Sequence, residues 1–149
     1  IFDVETTGLD PIYDRITEFS LLKYVDNKLV DTFAELVNPN KFIPQVVVSK
    51  TGITNEMVKD KNDISTYIDK IFDFIGDNVI VGHNIEFDIK FLSKESIRCN
   101  KKYEGKVIKY IDTLQLSKLL IRGVENYKLD TLKQYLNINI QTIEHLMIV

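Results

Sequence analysis

The first third of the chain has a strand-like pattern of apolar positions. Residues 1–5 are typical of the end of a buried strand, and residues 15–24 and 29–37 form two runs with strong β-propensity. Asp26-Asn27-Lys28 separates these two runs, so we interpret them as a β-hairpin. Asn38-Pro39-Asn40 ends the second run. This part of the chain therefore predicts two or three antiparallel strands.

Helical periodicity begins near residue 63. Apolar residues then recur at helical spacing up to Ile75, and Gly76 follows as a helix stop. The rest of the chain predicts alternating elements: a strand at 79–81, a helix from Asn84 to Ile97, a strand at 107–111, and helices at 114–120 and 129–136. Antiparallel strands followed by strands that alternate with helices predict one α/β domain with a mixed sheet and helices on its faces.

The composition is that of a globular protein. Hydrophobic residues make up 44% and charged residues 28% of the 149 residues, which is the size of a single domain. No apolar run approaches the ~18 residues needed to cross a bilayer, so we expect no membrane partner. The lone Cys99 cannot form an internal disulfide, which favours a reducing, cytoplasmic location. A net charge of -3 provides no general attraction for a polyanion, so local contacts and metal ions would have to hold a nucleic acid.

Two acidic residues share one face of the first strand. Asp3 and Glu5 are two residues apart, so their side chains project together from Cα atoms ~6.5–7 Å apart. Adjacent carboxylates repel each other unless they are protonated or bridged by cations. A solvated strand end is the simpler interpretation, but the surrounding strand is apolar and the turn Thr6-Thr7-Gly8 follows it. The pair is therefore a candidate cation site.

A third acid lies after the next buried strand. Asn84 and Asp88 share a face near the start of the predicted helix, because they are four residues apart. The simpler interpretation makes Asn84 an N-cap and Asp88 an exposed helical acid. Taken alone, His83 is more typical of a structural histidine held by hydrogen bonds than of a metal ligand. Ligands of open α/β sheets bind at the carboxyl ends of strands, so the two acidic segments together predict one site.

These motifs resemble those of the DnaQ-like 3′–5′ exonucleases, a family with four metal-binding acids that includes the proofreading domains of bacterial replicative polymerases. The resemblance extends along almost the whole chain and rests on five segments: residues 3–9, 51–54, 83–88, 110–114 and 129–132. It implies a ribonuclease H-like fold, with three α/β/α layers and a five-stranded mixed sheet. We therefore expect residues 1–149 to form a single exonuclease domain.

The resemblance also assigns roles to individual residues. Asp3, Glu5 and Asp88 match three of the metal-binding acids, which implies two divalent ions, Mg²⁺ or Mn²⁺, both of which prefer oxygen ligands. Six further residues match positions that bind the substrate: Thr7, Gly8, Leu9, Ile53, Asn84 and Phe87. The family uses the position of Ile53 as an apolar wedge between the last two bases. For Leu9 and Ile53, ordinary core packing is the alternative.

The last motif of the family is missing. It consists of a His, the general base, followed five residues later by the fourth metal-binding Asp, commonly as His-Arg-Ala-x-x-Asp. Here His145 is followed by Leu146 and Met147, and the chain has no Asp in the required position. A one-base shift in an AT-rich back-translation of this segment restores His-Arg-Ala-Phe-Asn-Asp-Ser. We therefore hypothesise that residues 143–149 are a frameshifted tail, and we expect an N-terminal trim because Ile1 lies inside an apolar run.

The sequence thus predicts a two-metal 3′–5′ exonuclease that hydrolyses phosphodiester bonds from the 3′ end of DNA, impaired here by the missing motif. Its expected partners are a nucleic acid 3′ end, foremost single-stranded DNA, and a DNA polymerase or helicase as a fusion or complex. Two alternatives stay open: a catalytically dead domain that binds nucleic acid or a partner, and a 3′-end-trimming ribonuclease. Lys90, Lys94 and Arg98 form either a solvated helix face or a track for the nucleic acid backbone.

Overall fold

Five strands and six helices are present in the computed structural model, which describes residues 1–101 and 108–138. The strands are β1 (Phe2–Thr6), β2 (Ile16–Val25), β3 (Lys28–Leu36), β4 (Ile80–Gly82) and β5 (Tyr110–Asp112). The helices are α1 (Gln45–Thr51), α2 (Asn55–Val58), α3 (Ile68–Ile75), α4 (Glu86–Arg98), α5 (Thr113–Leu120) and α6 (Leu129–Tyr135), and a 3₁₀ turn spans Ile64–Thr66. The sequence predicted every strand and α3 to α6. It missed α1, whose three consecutive valines disfavour a helix, and the short α2.

Hydrogen bonding divides the described strands into two sheets. β1, β2 and β3 form an antiparallel sheet in that order, and β4 pairs with β5 in parallel. β1 and β4 lie side by side without a ladder between them. Gly82 permits this approach, because a Cβ there would lie 3.0 Å from the carbonyl oxygen of Phe2. The predicted α/β fold is confirmed. The expected five-stranded sheet is instead present as sheets of three and two strands, because no ladder of hydrogen bonds joins β1 to β4.

The hairpin between β2 and β3 is confirmed. Its turn residues Asp26 and Asn27 have φ values of 49° and 61°, as a two-residue type I′ turn requires. Asn and Asp tolerate this left-handed backbone better than other residues with a side chain. The turn sets the register in which Val25 pairs with Lys28. The register shifts by one residue between Lys23 and Tyr24, and the ladder then runs to the pairing of Glu18 with Leu36.

The main core consists of apolar residues from one face of β1 and β2 and from α3 and α4. Phe2 and Val4 of β1 are buried in it, together with Ile71 and Phe72 of α3. The helical periodicity of α3 therefore predicted its buried face correctly. A second, smaller core lies beside α1 and α2 and contains Leu36, Ile43, Ile53 and Val58. The main core determines where α4 meets β1.

None of the helices within residues 1–101 and 108–138 is long and apolar enough to cross a membrane. His145 and the segment that we hypothesise to be frameshifted, 143–149, lie outside the described residues. The same is true of Val107, the first residue of the strand predicted at 107–111. The hypothesis about the tail therefore stays a prediction.

Candidate active site

β1 places two carboxylates on the face opposite the main core. Phe2, Val4 and Thr6 are buried, while Asp3 and Glu5 alternate with them along the strand. The shared face that the sequence predicted for Asp3 and Glu5 is therefore present. β2 adds a further acid, because Glu18 lies directly opposite Glu5 in the antiparallel ladder and is itself buried. Sequence reasoning missed Glu18, since its partner depends on the register between β1 and β2.

Asp88 of α4 is joined to β1 at the residue between the two acids. The backbone N–H of Val4 donates to Asp88 Oδ1 over 2.9 Å. Ile1 and Leu22 exchange both of their backbone hydrogen bonds, so the backbone groups of Ile1 point towards β2. This direction alternates from residue to residue along an antiparallel strand. The N–H of Val4, three residues on, therefore points away from β2 and towards α4. Asp88 is only 4% exposed, which excludes its interpretation as an exposed helical acid.

The three carboxylates influence one another electrostatically. Burial raises the pKa of Glu5 to about 7, with further contributions from the negative charges of Asp3 and Glu18. Burial and the charge of Asp3 likewise raise the pKa of Asp88 to about 7, against the opposing hydrogen bond from Val4. Loss of hydration also raises the pKa of Asp3. Full ionisation of the group is therefore unfavourable without a compensating positive charge.

The donor chemistry of this group suits a hard divalent cation. Ionised carboxylates only accept, and Mg²⁺ and Mn²⁺ prefer such oxygen ligands. Within residues 1–101 and 108–138, however, no three His, Cys, Asp or Glu side chains are arranged as a ready metal cluster. Asp3, Glu5 and Asp88 are thus grouped by their electrostatic interactions and by the hydrogen bond from Val4 to Asp88. Their carboxylates are not arranged closely enough to form a metal-binding cluster.

The loop after β1 contains three of the predicted substrate-binding residues. The Thr7 hydroxyl donates to Asp14 Oδ1 over 3.1 Å and accepts from the N–H of Arg15, and the Thr7 N–H donates to the Arg15 carbonyl. Thr7 therefore shapes the loop through its own polar groups. Gly8 has no space for a side chain, because a Cβ would lie 2.3 Å from Asp14 Oδ2. Leu9 is 82% exposed, so core packing does not account for it.

The turn between β4 and α4 differs from the sequence interpretation. Asn84 has a left-handed φ of 63° and lies outside the helix, whose N-cap position is Ile85. The interpretation of Asn84 as the N-cap is therefore wrong. Its backbone N–H instead donates to Asp112 Oδ1 over 3.0 Å, and its side chain is exposed. Phe87 is half-buried and its ring centroid lies 4.8 Å from that of Phe91.

Both ring nitrogens of His83 are engaged in hydrogen bonds. Its Nδ1 lies 3.0 Å from Thr113 Oγ1, and its Nε2 lies 2.8 Å from the carbonyl oxygen of Tyr127. The carbonyl can only accept, so Nε2 carries the proton and donates. The structural interpretation of His83 is confirmed.

Ile53 is placed differently from the other predicted substrate-binding residues. Its side chain is 0% exposed and packs in the small core with Leu36, Ile43 and Val58. Gly52, just before it, ends α1 in the left-handed conformation with φ 77°. This position favours core packing over insertion between bases.

The basic stripe predicted on α4 is not a continuous free surface. Lys90 lies 3.5 Å from Glu86 in an exposed ion pair, and Lys94 is exposed. Arg98 is turned inward, where its guanidinium contacts Glu95 and the carbonyls of Pro11 and Ile12. Arg98 therefore cannot serve as a free contact for a nucleic acid backbone. Sequence reasoning missed the two carbonyl partners because they lie 86 and 87 residues away.

A family model described as "Exonuclease", that of the RNase T family, matches residues 1–146. The chain belongs to this exonuclease family. The resemblance to DnaQ-like exonucleases, stated from the motifs alone, is thereby confirmed.

Relatives and solved structures agree with this membership. The chain is 38% identical over 140 residues to the PolC-type DNA polymerase III of Caldanaerobacter subterraneus subsp. tengcongensis, covering 94% of the chain and 10% of that protein. It also resembles exonuclease X in complex with 5′ overhanging duplex DNA, with a TM-score of 0.69, 26% identity, and coverage of 95% of the chain and 74% of the other. Escherichia coli exonuclease I in complex with a 13-nucleotide oligonucleotide shares the fold, with a TM-score of 0.76, 18% identity, and coverage of 89% and 34%. The chain thus spans about a tenth of the polymerase that it matches.

Proposed function

We propose that this chain is the 3′–5′ exonuclease domain of a DNA-replication enzyme, and that Asp3, Glu5 and Asp88 hold its divalent ions. The observation that carries this proposal is the hydrogen bond from Val4 to Asp88, which joins the third acid to the strand between the other two. The raised pKa values of Glu5 and Asp88 support it, because mutual repulsion of this kind is relieved by a bound cation.

Each residue of the proposed site has a distinct task. Asp3 and Glu5 offer oxygen donors from one strand face, and Asp88 offers its Oδ2 while Oδ1 accepts the Val4 N–H. Two divalent ions, when bound, stabilise charge on the attacking and leaving oxygens of the phosphodiester. Leu9 extends into solvent at the end of β1, where it can contact the terminal nucleotide.

The proposed substrate is the 3′ end of single-stranded DNA. The relatives are DNA polymerases, and both solved neighbours are described with bound DNA. Because the chain spans about a tenth of PolC-type DNA polymerase III, fusion to a polymerase is part of the proposal. The ions are proposed to be Mg²⁺ or Mn²⁺, which suit all-oxygen ligand sets.

The test is a repaired chain in which residues 143–148 are replaced by His-Arg-Ala-Phe-Asn-Asp and followed by a packing helix. We expect it to release mononucleotides from the 3′ end of 5′-labelled single-stranded DNA with Mg²⁺ or Mn²⁺. We expect the chain as given to be slower by at least roughly 10²–10⁴-fold, because a general base contributes about that much. Chelation, or Asp3→Ala, should abolish the activity of the repaired chain, while Asp130→Ala on α6 is the matched control.

A second candidate function is nucleic acid binding without cleavage. It is favoured by one observation on His83, which is one of the two histidines in the chain. Hydrogen bonds to Thr113 and Tyr127 hold its ring, so it is not free to act as a base beside the acids. No cleavage by the repaired chain, together with retained binding of the oligonucleotide, would support this alternative. Degradation of labelled RNA in place of DNA would instead identify a 3′-end-trimming ribonuclease.

A further inference from the structure

Helix α4 carries a partly buried ion pair at the end opposite to Asp88. Glu95 is 2% exposed, and its Oε1 lies 3.0 Å from Nη1 of Arg98. An acid this deeply buried is costly unless it is paired and hydrogen-bonded. Neither residue belongs to the carboxylate group on β1, so the pair serves another purpose in this part of the chain.

Arg98 binds the backbone of the segment that joins β1 to β2, and Glu95 binds the backbone where this segment enters β2. Nη2 of Arg98 donates to the carbonyl oxygens of Pro11 and Ile12 over 2.6 and 2.7 Å. The carboxylate of Glu95 accepts a hydrogen bond from the backbone of Ile16, the first residue of β2. The guanidinium can bond all three partners at once because its donors form a planar fork, which an ammonium group lacks.

The segment held in this way is the site loop, defined here as residues 8–14. The loop is closed at its base by the bond from the Thr7 N–H to the Arg15 carbonyl, which measures 2.8 Å. It presents apolar side chains to solvent: Leu9, Ile12 and Tyr13 are 82%, 60% and 72% exposed. These side chains are exposed, while the backbone that carries them is held in one shape. Such a surface is suited to binding, because little conformational entropy is lost when a ligand binds.

We propose that Glu95 and Arg98 are positioning residues, a clamp that holds the site loop in the shape that receives the bases of a single-stranded nucleic acid. The inference rests on the proposed function. One rigid helix carries both Asp88, bonded to β1, and Arg98, bonded to the loop after β1, ten residues or about 15 Å further along its axis. α4 thereby fixes the loop relative to the carboxylates.

The test compares Arg98→Lys and Arg98→Gln with Lys70→Gln, an exposed position on α3. Three quantities are measured on each variant: amide hydrogen exchange of the site loop, the dissociation constant for a fluorescent single-stranded DNA with Ca²⁺, and the affinity for Mn²⁺. Arg98→Lys retains the positive charge beside Glu95, so it remains informative if Arg98→Gln does not fold. Circular dichroism checks the folding of each variant.

We expect faster exchange in the site loop and a roughly tenfold weaker affinity for DNA in both Arg98 variants, because hydrogen bonds to a charged donor are lost. Mn²⁺ affinity should stay within about twofold of the unmodified chain, since Arg98 does not contact the acids on β1. In the repaired chain, KM should rise with little change in kcat. A purely structural role would lower the melting temperature and leave the affinity for DNA unchanged.

Three results would overturn the clamp: unchanged exchange in the site loop, unchanged affinity for DNA in a folded Arg98 variant, or an equal loss in Lys70→Gln. Failure of the proposed function is distinguishable from these. In that case the unmodified chain itself does not bind the oligonucleotide. Hydrogen exchange then still decides whether Arg98 fixes the loop.

Discussion

Asp88 Oδ1 accepts a 2.9 Å hydrogen bond from the backbone N–H of Val4, a residue 84 positions away in the chain. This bond brings a helical acid to the edge of the strand that carries Asp3 and Glu5. In the site that we propose, Oδ1 holds the strand and Oδ2 is the oxygen that would bind a cation. Structural and metal-binding roles of Asp88 can therefore be separated by substitution.

Asp88→Asn should preserve the fold and weaken the binding of cations. The amide oxygen can still accept from Val4, whereas the negative charge is lost. Asp88→Ala should in addition destabilise the protein by about 1–3 kcal/mol, because the buried Val4 N–H loses its partner. Urea denaturation and calorimetric titration with Mn²⁺ measure the two effects. Equal stability of the Asn and Ala variants would show that the bond to Val4 contributes nothing.

The free energy of unfolding without metal should fall as the pH rises from about 5 to about 8. Glu5 and Asp88 have pKa values of about 7 in the folded chain, against ordinary values of 4.5 and 3.8. The folded state therefore binds more protons than the unfolded state within this window, and raising the pH destabilises it. Asp3 and Glu18, which face these groups, strengthen the effect.

The loss attributable to the pair should be on the order of 2–4 kcal/mol. This is below the roughly 8 kcal/mol that ~1.4 kcal/mol per pKa unit gives for both groups in full, because Glu5 is partly open to solvent and the two groups share the same repulsion. The measurement is the difference in pH dependence between the unmodified chain and the double variant Glu5→Gln, Asp88→Asn, with chelator present. Added Mn²⁺ should restore stability at pH 8 in the unmodified chain alone. The assignment of the raised pKa values would be contradicted if the unmodified chain did not lose stability relative to the double variant as the pH rises.

Ile53→Ala should destabilise the protein by roughly 2–4 kcal/mol, because it opens a cavity in the small core with Ile43 and Val58. Ile53→Val should cost only about 1 kcal/mol and leave the affinity for single-stranded DNA unchanged. Chemical denaturation and fluorescence anisotropy provide the two readouts. The wedge role would be supported instead if the Val variant kept its stability but bound DNA several-fold more weakly.

Gly8→Ala should disturb the site loop. The new Cβ would lie 2.3 Å from Asp14 Oδ2, and the Asp14 carboxylate cannot move freely because Thr7, Lys41 and the N–H of Asp10 bind it. We expect a loss of about 1–3 kcal/mol in the free energy of unfolding, as is usual for overpacking. Gly123→Ala, where a Cβ has free space but φ is 79°, separates steric from backbone effects. No loss in Gly8→Ala would argue against the clash with Asp14, because Gly8 lacks the left-handed φ that strains an alanine at position 123.

The sequence by itself was sufficient for the features that depend on local periodicity. Alternation along β1 placed Asp3 and Glu5 on one face, and the 3.6-residue period identified the buried face of α3. Asp26 and Asn27 indicated the hairpin because they accept a left-handed backbone. Such features involve residues a few positions apart, whose relative directions follow from backbone geometry alone.

Only the tertiary structure decided which distant groups meet. The register between β1 and β2 places Glu18 opposite Glu5, and the packing of α4 brings Asp88 to Val4 and Arg98 to the carbonyls of the site loop. Periodicity carries no information about these partners, because backbone carbonyls and N–H groups are the same at every residue. Their pairing depends on how helix and sheet pack, and for this reason Arg98 suggested a nucleic acid contact in the sequence while the folded chain uses it to hold a loop.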